Sequence, residues 1–225
     1  MLGTIVNTIA IAAGSSIGLL LKKGIPQKIT DAVMRGLALC SIYIGISGTL
    51  EGSKTLAMIV SMALGAVIGT ALDLDGRLNS FGTSLEKKLG SNGQGKIASG
   101  FITASLLFCV GAMGVVGSLQ SGLTGNHEML FTKSVLDFIS SIVLSASLGV
   151  GVLLSAVTLL LYQGVITLLA QALAPILTDA VVAEMTSVGS LLIIGLGLNM
   201  LGITKLKIMD YVPAIFIVIG LCFIM

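Results

Sequence analysis

Lys133 and Asp137 stand one helical turn apart, and serines follow at 134, 140, 141 and 145 in a stretch otherwise rich in Leu, Val and Ile. An acid and a base at this spacing pair along one helix face, and hydroxyls at helical spacing extend that face as a polar stripe. A stripe headed by Asp137 and carrying Ser134, Ser140 and Ser141 has the chemistry to coordinate a cation or to line a path for a polar solute. The plainer reading is an acid at a helix start followed by small residues that let helices approach. Four amides, Asn7, Gln120, Gln163 and Asn199, each bring a donor and an acceptor that lipid cannot satisfy. Asn7 and Asn199 lie in the outer thirds of the chain, as a pseudo-symmetric site would require, although one interhelical hydrogen bond apiece would also account for them.

The elements that must hold these groups are membrane spans. From Phe138 to Thr178 the chain runs 41 residues without a charge. At about 1.5 Å per residue that is roughly 60 Å of helix, twice the hydrocarbon core, so the stretch predicts two spans. A mean hydropathy of +1.09, with 55% hydrophobic and 10% charged residues, excludes a water-soluble fold. The net charge of +2 and the lack of an aromatic-and-basic stretch exclude a nucleic-acid partner. Cys40, Cys109 and Cys222 all fall in apolar runs, which predicts buried thiols and no disulfide framework. No basic region or cleavage pattern marks the first apolar block, which is expected to remain as a helix.

The expected fold is therefore an all-α polytopic transmembrane bundle, one integral membrane domain over residues 1–225 with about eight spans. The apolar segments are Leu2 to Leu21, Gly36 to Leu50, Leu56 to Leu74, Ile97 to Leu119, Leu136 to Ala156, Leu159 to Ala174, Ser187 to Ile203 and Ile208 to Met225. Eight spans collect ten Lys and Arg residues on one side and leave two, Lys54 and Lys133, on the other. Because these residues resist translocation, both termini are expected outside. The stretch 74–96 is then a cytoplasmic loop, and Leu78, Phe81, Leu85 and Leu89 give it the spacing of a helix lying on the membrane surface. A solvated loop with incidental periodicity is the alternative.

Internal repetition adds to this pattern. Cys40-x4-Gly45-x2-Gly48-x-Leu50 returns without a gap as Cys109-x4-Gly114-x2-Gly117-x-Leu119, and Thr30-Asp31-Ala32-Val33 returns as Thr178-Asp179-Ala180-Val181. The second pair falls on opposite faces in the eight-span topology, as an inverted repeat of an alternating-access carrier would. Gly111, Gly114 and Gly117 crowd one span, where glycines either unwind the backbone or bring helices close, and close packing is also the expectation for Gly45 and Gly48.

Several chemistries lack their residues. His127 is the sole histidine, so no zinc site is expected, and Asp73-Leu74-Asp75-Gly76 lacks the rest of a calcium loop. No span holds a nucleophile with its base, and no phosphate-cradling Gly-rich Lys-Ser/Thr loop occurs, so no enzyme activity, metal or cofactor is expected.

Phe101-Ile102-Thr103-Ala104-Ser105-Leu106-Leu107-Phe108-Cys109-Val110-Gly111-Ala112-Met113, Lys133-Ser134-x2-Asp137, Gly149-Val150-Gly151-Val152-x2-Ser155 and Tyr162-Gln163-Gly164, in this order, resemble the DUF554 family of bacterial inner-membrane proteins. The opening Gly3-Thr4-Ile5-Val6-Asn7 is similar too, so the resemblance covers essentially the whole chain. It implies a multi-pass protein of the bacterial inner membrane of a kind commonly suspected of transport, and it brings no site residues with it. The leading expectation is a transporter or channel for a small solute or ion, with the lipid bilayer as its surroundings and homo-oligomerisation left open. The alternative is a membrane-embedded interaction or scaffold protein without transport activity.

Overall fold

The computed structural model describes residues 1–22, 27–88, 96–110 and 112–224; the side chains of residues 22, 27, 30, 33, 81–83, 85–88, 96 and 112 also fall outside the description. Among the described residues the fold is all-α: α1 (Leu2–Lys22), α2 (Gln27–Thr49), α3 (Thr55–Ala71), α4 (Leu74–Lys88), α5 (Lys96–Cys109), α6 (Ala112–Leu123), α7 (Glu128–Leu148), α8 (Gly151–Leu168), the single turn α9 (Ala170–Leu173), α10 (Asp179–Met200), a 3-10 turn over Ile208–Tyr211, and α11 (Pro213–Cys222). By length and composition four helices can each cross a bilayer, Leu2–Leu21, Glu128–Leu148, Gly151–Leu168 and Asp179–Met200. The count reaches six if α3 with Leu74–Ser80, bent by 50°, and Ile97–Cys109 with Met113–Leu123, bent by 59°, each form one span. The chain is a multi-pass membrane protein.

Several helix starts precede the sequence expectation, the first being α2, expected from Gly36 and found from Gln27. The span expected from Leu136 begins at Glu128, and the one expected from Ser187 begins at Asp179. In both of these the helix continues through a charged residue whose charge has a partner inside the protein, Lys133 with Asp137 and Glu184 with the backbone N–H groups of Ser53 and Lys54. Local chemistry also favours the earlier starts: Glu128 and Asp179 lie in first turns, where the helix dipole stabilises acids. The Thr178 side chain accepts a hydrogen bond from Val181 N at 3.4 Å. The break expected between Ala156 and Leu159 instead falls at Gly149, whose φ of 86° is a left-handed conformation that glycine adopts without strain. Leu74–Lys88 is a helix; of the four residues expected on its apolar face, Leu78 is half-buried, the Phe81 and Leu85 side chains lie outside the described residues, and so does Leu89.

The chain forms two compact units. Unit 1, Met1–Met34 with Phe81–Pro175, is built around α1, α5, α6, α7 and α8. A Cβ added to Gly3 would touch Leu130 and His127, and one added to Gly18 would strike the Ile142 carbonyl, so α1 and α7 run parallel and Met1 lies at the same end as His127. Thr4 Oγ1 is 3.2 Å from Thr167 Oγ1, so α8 runs the other way. Gly151 meets Ile97 and Phe101 at the start of α5, while Gly122 in the last turn of α6 meets Thr167 and Ala170. The bent α5–α6 pair thus accompanies α8 from end to end.

Unit 2, Arg35–Ser80 with Ile176–Met225, joins two antiparallel pairs. In one, Gly45 and Gly48 of α2 lie against Ser190 and Ile194 of α10, and Gly197 lies against Ala38 and Ile42. In the other, Gly65 and Gly69 of α3 lie against Ala214 and Asp210. The two copies of the Cys-Gly pattern differ locally. The first sits within the continuous helix α2 at a close contact, whereas the second straddles the break between α5 and α6. There Gly117 sits 3.0 Å from Leu130 and Gly114 has nothing nearer than 3.5 Å, measured from an added Cβ; Gly111 lies outside the described residues.

Helix pairs held through glycine respond to added bulk at the contact and not elsewhere. Gly18→Leu should lower the melting temperature in detergent by an amount equivalent to about 1–3 kcal/mol, the usual cost of overpacking. Gly220→Ala, where an added Cβ meets nothing within 4 Å, should be neutral or stabilising by up to about 1 kcal/mol. Equal sensitivity at the two positions would contradict the packing described.

Candidate functional site

Asp137 is the tenth residue of the 21-residue helix α7, about 14 Å from its start, and so at the middle of a span. Lipid offers a carboxylate there no hydrogen bond, and the protein supplies two. Lys133 Nζ donates to Asp137 Oδ2 at 2.6 Å from one turn earlier, and Asn7 Nδ2 on α1 donates to the same oxygen at 3.0 Å. Lys133 and Asp137 are 7% and 6% exposed, and Asn7 is fully buried. Replacing such a pair with well-packed apolar residues is often neutral or stabilising by about 1–4 kcal/mol, so folding alone is a weak reason for it to exist.

The pair faces the bend between α5 and α6. A Cβ built on Gly114 would lie 3.5 Å from Lys133 Cε, 3.8 Å from Gln163 Nε2 and 3.9 Å from the Cys109 carbonyl oxygen. Residues of five helices therefore meet at one place: α1 through Asn7, α5 and α6 through Cys109 and Gly114, α7 through Lys133 and Asp137, and α8 through Gln163. Gln163 is fully buried, and among the described residues neither Nε2 nor Oε1 has a hydrogen-bond partner; Asn7 Oδ1 likewise has none among them. A buried polar group left unpaired costs about 1–3 kcal/mol, so these three atoms mark where the cluster has unused binding capacity.

The serine stripe divides on inspection. Ser134 and Ser141 are buried but bond back to their own helix, at the carbonyls of Leu130 and Phe138. Ser140 is exposed beside Leu136, Ile139 and Val143 on the outward face. Ser145 donates to the Ser15 carbonyl at 2.8 Å and ties α7 to α1. The polar face of α7 is thus Lys133, Asp137, Ser141 and Ser145, one residue per turn. Gln120 lies half-buried near the end of α6.

Asn199 belongs to unit 2 and holds a turn. Its Oδ1 accepts from Leu206 N at 2.8 Å and Thr204 Oγ1 at 2.7 Å, and its Nδ2 donates to the Leu206 carbonyl at 2.7 Å. Two acids that the sequence reading did not single out are buried in the same unit, Glu184 at 2% and Asp210 at 3% exposure. Glu184 Oε1 accepts from the backbone N–H groups of Ser53 and Lys54, at 2.6 and 2.7 Å, at the start of α3. Lys54 Nζ in turn donates to the Cys222 carbonyl near the end of α11. Asp210 Oδ1 accepts from Asp75 N at 3.0 Å in the first turn of α4. Both acids satisfy donors that a helix start leaves free. The available sequence signal was a single acid flanked by apolar residues on both sides, as in Val181-Val182-Ala183-Glu184-Met185.

If Glu184 holds the start of α3, Glu184→Ala should destabilise the folded protein by about 1–3 kcal/mol, the cost of stranding buried donors. Glu184→Gln, which retains an acceptor oxygen, should lose less. Thermal unfolding of both variants checks this, and equal stability of Glu184→Ala and the parent would remove the capping role.

The sequence profile of the family described as "Protein of unknown function (DUF554)" matches residues 2–223. The chain is 36% identical over 221 residues to the "Uncharacterized membrane protein YdfK" of Bacillus subtilis (strain 168), covering 96% of this chain and 93% of that protein. It is 27% identical over 226 residues to the "Uncharacterized protein YqgA" of Escherichia coli (strain K12), covering 98% and 96% of the two chains. No solved structure matches the chain.

Proposed function

The chain belongs to the DUF554 family, and we propose that it moves a small solute or ion across a bacterial inner membrane, driven by a gradient or by the solute's own concentration difference. The observation that carries this reading is the convergence of Asn7, Lys133, Asp137 and Gln163 from three helices at the bend between α5 and α6, midway along α7. Carriers commonly bind substrate near the bilayer midplane where a helix is interrupted, because interruption brings backbone polar groups to the site. A scaffold would call for polar side chains scattered as single interhelical bonds. Ser145 with Ser15 and Thr4 with Thr167 have that character, but the charged cluster does not.

The topology proposed with this function has eight spans and both termini outside, supported by the division of basic residues: ten fall on one side and, with Lys133 buried within α7, Lys54 alone falls on the other. Four crossings in unit 1, with α5 and α6 together as one, and four helices of unit 2 agree with that number, as does the location of Met1 and His127 at one end. The repeated Cys-Gly and Thr-Asp-Ala-Val patterns fit a duplicated ancestry within this scheme. In a cysteine-free background, Gly125→Cys should react with an impermeant reagent from outside and Ser91→Cys only after permeabilisation. Labelling of Ser91→Cys in intact cells would reject this topology.

The site is tested with variants that separate folding from binding. Lys133→Met or Asp137→Asn alone strands a buried partner and should lower stability by about 3–5 kcal/mol. The double variant removes both charges and should regain most of that loss. In a thermal-shift screen of small solutes and salts, any compound that raises the parent's melting temperature by mass action should have no effect on the double variant. A full ligand response from a stable double variant would show that the pair is structural and turn the interpretation toward a scaffold.

A further inference from the structure

We propose that the transported solute carries no net charge and presents hydrogen-bond donors and acceptors side by side, as a small zwitterion or primary amide does. This inference rests on the transport reading and narrows its substrate class. The first argument is charge. Lys133 and Asp137 are the only buried charged side chains among the described residues of unit 1, and they sum to zero. A bare cation brought to this place would face the Lys133 ammonium, and a bare anion the Asp137 carboxylate. Either would leave one uncompensated charge in a low-dielectric interior, where such charges are most costly. A zwitterion or a neutral amide leaves the balance unchanged.

The second argument is the inventory of unused polar atoms. Among the described residues, fully buried Gln163 has a partner for neither its N–H donor nor its carbonyl acceptor. The two edges of a primary amide match the adjacent donor and acceptor of another amide or the carboxylate and ammonium of a small zwitterion. Asn7 Oδ1 adds an acceptor, since Asn7 Nδ2 is already committed to Asp137. The Lys133 ammonium has three N–H bonds, of which Asp137 takes one.

The third argument is room. Gly14, Gly18, Gly45, Gly48, Gly65 and Gly69 all lie where an added Cβ would collide with a neighbouring helix. Gly114 does not: a Cβ there would rest at ordinary contact distance from Lys133, Gln163 and the Cys109 carbonyl. Glycine at 114 therefore leaves a methyl-sized space among the very groups that would recognise such a solute, and helix packing does not require it.

The test uses four probes on the full-length purified protein: L-alanine as zwitterion, acetamide as neutral amide, rubidium chloride as cation and sodium formate as anion. Thermal stabilisation and uptake into proteoliposomes are measured for the parent, Gln163→Leu and Gly114→Ala. Alanine, acetamide or both should give a saturable response that rubidium and formate do not. Gln163→Leu should weaken it by about ten-fold, the scale of one or two lost hydrogen bonds. Gly114→Ala, whose added methyl fits the fold but occupies the space, should weaken it with an unchanged melting temperature in the absence of probe. A saturable response to rubidium or formate alone overturns the net-neutral solute while leaving transport standing. A response to alanine or acetamide that is undiminished in both variants overturns the assignment of Gln163 and Gly114. No response to either dipolar probe overturns the inference, and the Lys133 and Asp137 double variant then decides the transport reading separately.

Discussion

Lipid provides no partner for a buried charge or hydrogen-bonding group, and the architecture of unit 1 follows from how that demand is met at Asp137. Its Oδ2 receives Lys133 from its own helix and Asn7 from α1, so the central charge of the span also joins two parallel helices. The glycines at 14 and 18 then allow α1 and α7 to lie close enough for this contact, with Gly14 against Phe138 and Ser141 and Gly18 against Ile142. Small residues and the buried pair are in this sense one arrangement. The approach of the backbones shortens the reach that Asn7 must span, and the hydrogen bond fixes the rotation of the helices about their axes.

The two units treat their buried acids differently. In unit 2, Glu184 and Asp210 accept backbone N–H groups at the starts of α3 and α4, where the helix dipole itself favours a negative charge. Glu184 Oε1 and Asp210 Oδ1 thus hold helix starts, while Glu184 Oε2 has no partner among the described residues. In unit 1 the acid is held by side chains midway along a helix, and it stands near a glutamine whose amide has no partner among the described residues. The units thus differ in the kind of partner their acids take, backbone N–H groups in one and side chains in the other, although all of these acids are buried to a similar extent.

The bend between α5 and α6 belongs to the same logic. A straight helix uses all its interior backbone groups internally, while an interrupted one brings backbone carbonyl and N–H groups at its two ends to the place of the break. The Cys109 carbonyl lies at that place, close to Lys133 and Gln163. Gly114 is then read as a means of leaving space and not of drawing helices together, the role its neighbour Gly117 retains against Leu130.

The sequence by itself determined that this chain is an all-α multi-pass membrane protein and pointed to Asp137, Asn7 and Gln163, because long uncharged runs admit no other solvent than lipid and polar side chains within them stand out. It also paired Lys133 with Asp137 through helical spacing. What it could not supply was depth. The apolar runs begin at Leu136 and Ser187, which places Asp137 at an edge and leaves Glu184 outside. Only tertiary structure decides whether a charge lies within a span, since that depends on a partner from another helix, such as Asn7, or a helix start such as that of α3. Periodicity likewise grouped Ser134 and Ser140 with Ser141, yet one faces its own backbone and another faces outward, because rotation of a helix is set by what packs against it. The meeting of Gln163 with Lys133 beside Gly114 joins residues from three separate helices, and a one-dimensional pattern holds no record of which helices are neighbours.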